Sequence, residues 1–243
     1  MKILGYLTLG FLLLLGWLIM AIGLVLFTPA GTRIAIHIAD QAAGETFHVQ
    51  QTQGQLGNLD LMGIEVHLPA ANLRIERLRW DFAWSELRIR HLHIRQLRID
   101  GLTWQMLEVE APQEQPDEPF VLPEPPVLPF TAHIEDFTLR DGRILTAGPT
   151  TPQEIKLLQF ELKTTSDQIT VSRLKLLTPE LDLNADSRLD LSINYPVELD
   201  ASVLLTLPGY APIESSIYIH GNLDRLDLEQ QIDACAKSLV GLG

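Results

Sequence analysis

Seven apolar residues, Leu87, Ile89, Leu92, Ile94, Leu97, Ile99 and Leu102, follow one another at steps of 2, 3, 2, 3, 2 and 3, and the series runs on to Trp104. On an α-helix, at ~100° per residue, these positions scatter around the whole circumference and build no apolar stripe, so a helix is excluded. On a β-strand, residues two apart share a face, whereas a step of three sends the next pair to the opposite face. A chain spaced in this way either buries both faces of its strands or inserts a bulge or turn at each step of three. The spacing recurs at Leu56, Leu59, Leu61, Ile64 and Val66, and again at Ile134, Phe137, Leu139 and Ile144, where Gly142 takes an apolar slot. Shorter versions run through Ile169, Val171, Leu174 and Leu176, and through Leu223, Leu226 and Leu228. The expectation is a mainly β fold from residue 46 onward, built on one strand unit used several times. Leu and Ile crowd one face, and Arg, Glu, Asp and Gln the other. An open sheet leaves the apolar face as a groove, while a closed β-sandwich covers it with a second sheet. The spacing leaves both open.

Ahead of the β region, Ile3 to Phe27 hold no charged residue across 25 positions. As a helix the stretch is about 37 Å long, more than the ~30 Å hydrocarbon core of a bilayer, which predicts a single transmembrane helix. It exceeds the ~7–15 apolar residues of a cleaved signal peptide, so it reads as an uncleaved signal anchor. Trp17 falls mid-span as a packing residue, and Lys2 set against Arg33 favours a cytoplasmic N-terminus with the body exported. Thr28 or Thr32 caps a short helix over 31–45 that stops at Gly44, with Ile34, Ile38 and Ala42 on one face turned to the membrane surface or the first strands. The expected organisation is a tail and anchor over 1–30, that helix, a first β block over 46–111, a linker over 112–129 and a second β block over 130–232. The linker holds seven of the chain's fifteen prolines, which cannot donate to a sheet ladder. Residues 233–243 show neither strand alternation nor a helix cap, and read as a prematurely ended tail.

The net charge of −13 is distributed as −2 before residue 72, +3 over 72–100 and −14 beyond. Bulk acidity argues against nucleic acid, which needs a clustered basic face. The arginines between Arg74 and Arg98 alternate with apolar residues and read as a solvated strand face. A single cysteine, Cys235, excludes an intramolecular disulfide and a multi-cysteine zinc site. No Walker loop, G-x-S-x-G, H-E-x-x-H or G-x-G-x-x-G is present, so neither an enzyme nor a cofactor is expected. His91 and His93, two apart, would share a strand face, but spacing places no third ligand beside them. Acid pairs such as Glu135 and Asp136 read as solvated strand edges, and Asp141-Gly142 and Gly221-Asn222 as turns.

The order of segments resembles that of a known family. A short tail and one apolar helix lead to Thr28-Pro29-Ala30-Gly31-Thr32-Arg33, and then to GQLGNLDLMGIEV over Gly54–Val66. LRIERL, from Leu73 to Leu78, precedes Trp80 and Trp84, and the apolar ladder ends in Ile99-Asp100-Gly101-Leu102. A Pro/acid linker and IEDFTLRDG, from Ile134 to Gly142, complete the order. It is similar to the N-terminal region of the TamB family, inner-membrane subunits of the translocation and assembly module within the AsmA-like group. The resemblance implies an elongated, curled, taco-like sheet with a hydrophobic groove in the periplasm. It also implies an outer-membrane barrel partner, TamA, contacted through a C-terminal region, and roles in outer-membrane protein (autotransporter) assembly and phospholipid transport. The groove's guests would be phospholipid acyl chains or unfolded outer-membrane protein segments. An alternative of another class is a bitopic periplasmic adaptor of a secretion system that binds a protein partner through a closed β domain.

Overall fold

A computed structural model of the chain describes residues 28–107, 131–146, 151–222 and 224–234. The expected anchor, with Ile3, Trp17 and Phe27, lies outside them, as does the whole proline-rich linker over 112–129. No helix among the described residues is long and apolar enough to cross a membrane. Thr28 is extended (φ −105°, ψ 149°), and its side-chain oxygen accepts from the Gly31 N–H at 3.2 Å. Helix α1, Pro29–Ala43, therefore starts directly after it, with proline where a backbone N–H has no helical partner to lose. Gly44 ends the helix at φ 60° and opens a 3-10 turn over Gly44–Thr46. The expected apolar face of this helix is turned outward: Ile34 and Ile38 are 57% and 58% exposed, and Ile36 reaches the core instead. Two tethers fix that rotation. Arg33 Nε donates to the Thr52 carbonyl at 3.2 Å, and Asp40 Oδ1 accepts from the Val49 N–H at 3.3 Å and bonds His48 Nδ1 at 3.0 Å.

The strands are β1 Phe47–Gln55, β2 Asn58–Leu68, β3 Ala71–Phe82, β4 His91–Met106, β5 Thr131–Leu145 and β6 Gln153–Thr164. Then come β7 Gln168–Leu177, β8 Leu181–Asp190, β9 Val197–Leu205, β10 Ile213–Asn222 and β11 Arg225–Ala234. They form one 11-stranded sheet in strict sequence order. No second sheet faces it among the described residues, which overturns the closed-sandwich alternative. Every adjacent pair is antiparallel except β4–β5, which is parallel and sets His93 beside His133 and Gln105 beside Leu145. The two β blocks expected on either side of the linker are thus halves of one sheet. Parallel pairing puts Met106 and Thr131 at opposite ends of the joint, about 50 Å apart along the strands.

The steps of three are resolved by local distortion and not by burial of both faces. Gly63 (φ 63°), Gly101 (φ 69°) and Asp141 (φ 54°) sit inside the steps Leu61–Ile64, Ile99–Leu102 and Leu139–Gly142. Nearer the other end of the strands, the register shifts at Asp81/Phe82, between Ile134 and Phe137, at Gln159/Glu161 and between Val171 and Leu174. Arg173, inside that last step, is left-handed at φ 56°, and Asp186 Oδ1 accepts from its N–H at 2.8 Å. Each irregularity adds the half-turn that a step of three would otherwise lose, so successive apolar pairs return to the same face. Asp141-Gly142 consequently lies within β5 and is not a turn. Gly221-Asn222 does close a hairpin, with Asn222 Oδ1 accepting from the N–H groups of Asp224 and Arg225. The first two members of the ladder leave it. Leu87 belongs to a single helical turn, α2 Trp84–Leu87, and Leu87 and Ile89 are 46% and 71% exposed.

On one face, Leu59, Leu61, Ile64 and Ile75 form a buried cluster, with Ile36, Phe47, Val49, Val66 and Leu102 packed against it. The other face carries the arginines in ion pairs. Arg77 grips Asp60 through Nε and Nη2 at 2.9 and 2.5 Å, Arg98 Nε meets Asp100 at 3.0 Å, and Arg95 Nη1 meets Asp81 at 2.9 Å. The solvated-face expectation holds, with Arg77 and Arg95 paired across strands and Arg98 paired along β4. The bond from Arg77 holds the Asp60 carboxyl below its ordinary range.

Two outcomes follow from this arrangement. Gly101→Ala puts a Cβ on a left-handed residue and 2.4 Å from the Glu76 carboxyl carbon, so urea unfolding should show a loss of about 1–2 kcal/mol. Asp60→Asn should lower the unfolding midpoint at neutral pH. Because the folded-state pKa of Asp60 is depressed, its contribution is present above about pH 4 and lost as pH falls through the folded value, so the two midpoints should converge in acid.

Candidate functional site

The bulged strands bring their apolar pairs into rows that cross the sheet. Leu61, Leu78, Ile99, Leu139, Leu158, Leu176, Leu183 and Val203 are register partners in turn, one per strand from β2 to β9. At ~4.8 Å between strands, that row is about 34 Å of continuous aliphatic side chains, of which Leu61 and Leu139 are buried. A second row runs Leu59, Trp80, Leu97, Phe137 and Phe160, the last two rings stacked at 4.4 Å. A third joins Phe82, Ile94, Ile134, Leu162 and Val171.

Where these rows cross β3 and β4, the face is hollow. A groove of about 560 Å³ is lined by Leu56, Ile75, Leu78, Trp80, Phe82, Trp84, Leu92, Ile94, Leu97 and Ile99, and the surface it presents is entirely apolar. Its rim is fixed by aromatic side chains. Trp80 Nε1 donates to the Leu56 carbonyl at 2.9 Å, which satisfies the indole and turns its ring to the groove. Trp84, carried by α2, sets its ring edge-on to Phe82 at 4.3 Å. Such a surface recognises apolar matter. It offers no acid, base or nucleophile, and no hydrogen bond to fix a polar guest.

The ladder positions divide as follows. Leu56, Leu92, Ile94, Leu97 and Ile99 line the groove. Leu59, Leu61 and Ile64 are buried in the core cluster, with Val66 and Leu102 packed against it. Ile134, Phe137 and Leu139 continue the same rows onto β5, and Ile144 lies outside them at the far end, in register with Trp104. Leu87 and Ile89 take no part. Ile75, Leu78, Trp80, Phe82 and Trp84 were not in the ladder, although Leu73, Ile75, Leu78 and Trp80 repeat its steps of 2, 3 and 2 and mark β3 as a further copy of the unit.

The polar face behind the groove holds a histidine cluster that spacing did not complete. Glu86, on α2, reaches His93 Nδ1 at 2.9 Å with one oxygen and His91 Nε2 at 3.5 Å with the other. Glu135, on β5, meets His93 Nε2 at 2.6 Å, and the Thr131 hydroxyl meets His91 Nδ1 at 2.7 Å. The His133 ring stacks on His93 at 5.3 Å, and its Nε2 lies 2.9 Å from Glu161, which also takes Arg173 at 2.7 Å. Bonding to Glu86 and then Glu135 raises the His93 pKa above the ordinary imidazole value, against the opposing effect of burial. Bonding to His93 lowers the Glu86 carboxyl, and bonding to His133 lowers that of Glu161. Glu86, His91 and His93 could hold a metal ion, as could His93, His133 and Glu135. Glu135 is therefore a network member and not simply a solvated edge.

Among known proteins, a family model described as TamB, N-terminal domain, matches residues 18–126 and 110–238. No curated protein and no solved structure matches. The open, sequential sheet with one apolar face agrees with the segment order that first suggested this family, and the chain belongs to the TamB N-terminal domain family.

Proposed function

We propose that this chain forms the inner-membrane end of a periplasmic bridge and carries phospholipid acyl chains along its groove toward the outer membrane. In this reading, residues 3–27 anchor it in the inner membrane with the body exported. It serves outer-membrane protein (autotransporter) assembly and phospholipid transport, and the barrel TamA is its partner at the far membrane. It is a conduit and not an enzyme.

The observation that carries the reading is the wholly apolar groove over β3 and β4, continuous with rows that cross the sheet as far as β9. Its volume falls within the ~300–1,000 Å³ typical of ligand pockets. The choice of acyl chain over polypeptide follows from the lining. An extended peptide brings a donor and an acceptor per residue, and each goes unsatisfied against a surface with no polar partner, whereas a hydrocarbon tail loses nothing. The family match supports the bridge and its partner.

The test is site-specific photocrosslinking in cells that make the full chain. A photoreactive residue at Ile94, Leu97 or Ile99 should yield lipid adducts by mass spectrometry, and one at Gln96, exposed on the polar face, should not. Absence of lipid adducts at all three groove positions, or equal labelling at Gln96, overturns the reading. Protein adducts alone at the groove positions would replace acyl chains with unfolded outer-membrane protein segments as the cargo.

A further inference from the structure

We propose that Glu86, His91 and His93 form a binding site for a zinc-class divalent cation, on the polar face where α2 meets the parallel β4–β5 joint. Three observations carry it. The first is convergence. Alternation along β4 turns Leu92 and Ile94 into the groove, so His91 and His93 share the opposite face. The single turn of α2 lays the Glu86 carboxylate across both rings, and one ligand atom from each of the three residues lies within 4.8 Å of the others. Metal bonds of ~2.0–2.2 Å require ligand atoms about 3.3–3.6 Å apart, against 2.9 Å from Glu86 to His93 and 3.5 Å from Glu86 to His91, an adjustment within the reach of side-chain rotation.

The second observation is orientation. A metal-bound imidazole holds its other nitrogen on a fixed outer partner, which sets the tautomer and aims the ring. Both histidines have this arrangement. His91 presents Nε2 to Glu86 while Nδ1 is held by Thr131 at 2.7 Å, and His93 presents Nδ1 while Nε2 is held by Glu135 at 2.6 Å. Both outer partners come from β5, so the parallel pairing builds this shell.

The third is donor chemistry. Two imidazoles and one carboxylate suit first-row divalent ions such as zinc. The cluster is partly open, with the His93 side chain 15% exposed and that of Glu86 36%, which leaves a coordination position for water. The neighbouring set of His93, His133 and Glu135 is the weaker choice, because Glu161 already engages His133 Nε2. A bound ion would clip α2, which carries the groove residue Trp84, to the strands beneath it.

The experiment uses the full chain, free of any polyhistidine tag and purified in detergent at pH 7.5, with cobalt(II) as a spectroscopic probe and zinc as competitor. We expect one saturable cobalt site per chain, visible as a d–d absorption band and displaced by zinc. His91→Ala and Glu86→Gln should each weaken it at least tenfold. Thr131→Val, which removes only an outer partner, should weaken it by about 10–100-fold. His133→Ala should leave it within twofold. His91 is the first residue of β4 and partly exposed, so its variant should keep the parent circular dichroism spectrum, and any variant that loses that spectrum is set aside in favour of Glu86→Gln. No saturable band overturns the proposal, as does binding indifferent to His91→Ala and Glu86→Gln, or binding abolished by His133→Ala.

Discussion

The fold depends on how the backbone absorbs a step of three between apolar pairs. A regular strand with this spacing would present Leu97 and Ile99 on the face opposite Leu92 and Ile94, and no single layer could gather them. Left-handed residues at Gly63, Gly101, Asp141 and Arg173, together with the register shifts in β3 to β8, return each pair to the same side. Because the distortions fall at matching places on neighbouring strands, they keep the sheet in register while bending it. The apolar rows, the hollow over β3 and β4 and the ion-paired opposite face all follow from that adjustment.

An open sheet of this kind has edges, and the molecule treats the first of them explicitly. Helix α1 lies along β1, where Asp40 takes the Val49 N–H and Arg33 takes the Thr52 carbonyl, groups that would otherwise template another strand. The parallel joint between β4 and β5 has a different consequence. It brings residues about forty positions apart side by side without a hairpin, so the groove floor on β4 continues onto β5. On the reverse face it brings Thr131, His133 and Glu135 against His91 and His93. An apolar groove and a polar cluster thus share one pair of strands, separated by the thickness of the sheet.

How much of this was legible in the sequence can be judged from particular residues. Leu92, Ile94, Leu97 and Ile99 were readable as an apolar strand face because their spacing excludes a helix and repeats elsewhere, but the spacing did not say that this face stays open as a groove. Trp80 was equally readable, since Leu73, Ile75, Leu78 and Trp80 repeat the spacing on β3, whereas Phe82 follows at a step of two and meets Ile94 only through the register shift at Asp81/Phe82. Leu87 and Ile89 matched the spacing and still left the sheet. The α2 turn between β3 and β4 takes up that stretch, and its Glu86 and Trp84 have partners on β4 and β3 that local pattern does not specify.

The sequence by itself determined that the body is β, that a short helix ahead of it stops at Gly44, that a proline-rich stretch interrupts the strands, and that apolar and charged side chains separate onto two faces. Each of these is a local property, set by periodicity, a capping hydroxyl, a missing N–H or a left-handed glycine. The tertiary structure alone decided that the sheet stays open, that β4 and β5 pair in parallel, and that α1 turns Ile36 rather than Ile34 and Ile38 to the core. It also decided that Glu86 completes the histidine pair. Those choices rest on contacts between residues far apart in the chain, whose free energies depend on register and on the thickness of packed side chains, quantities that no spacing along one strand encodes.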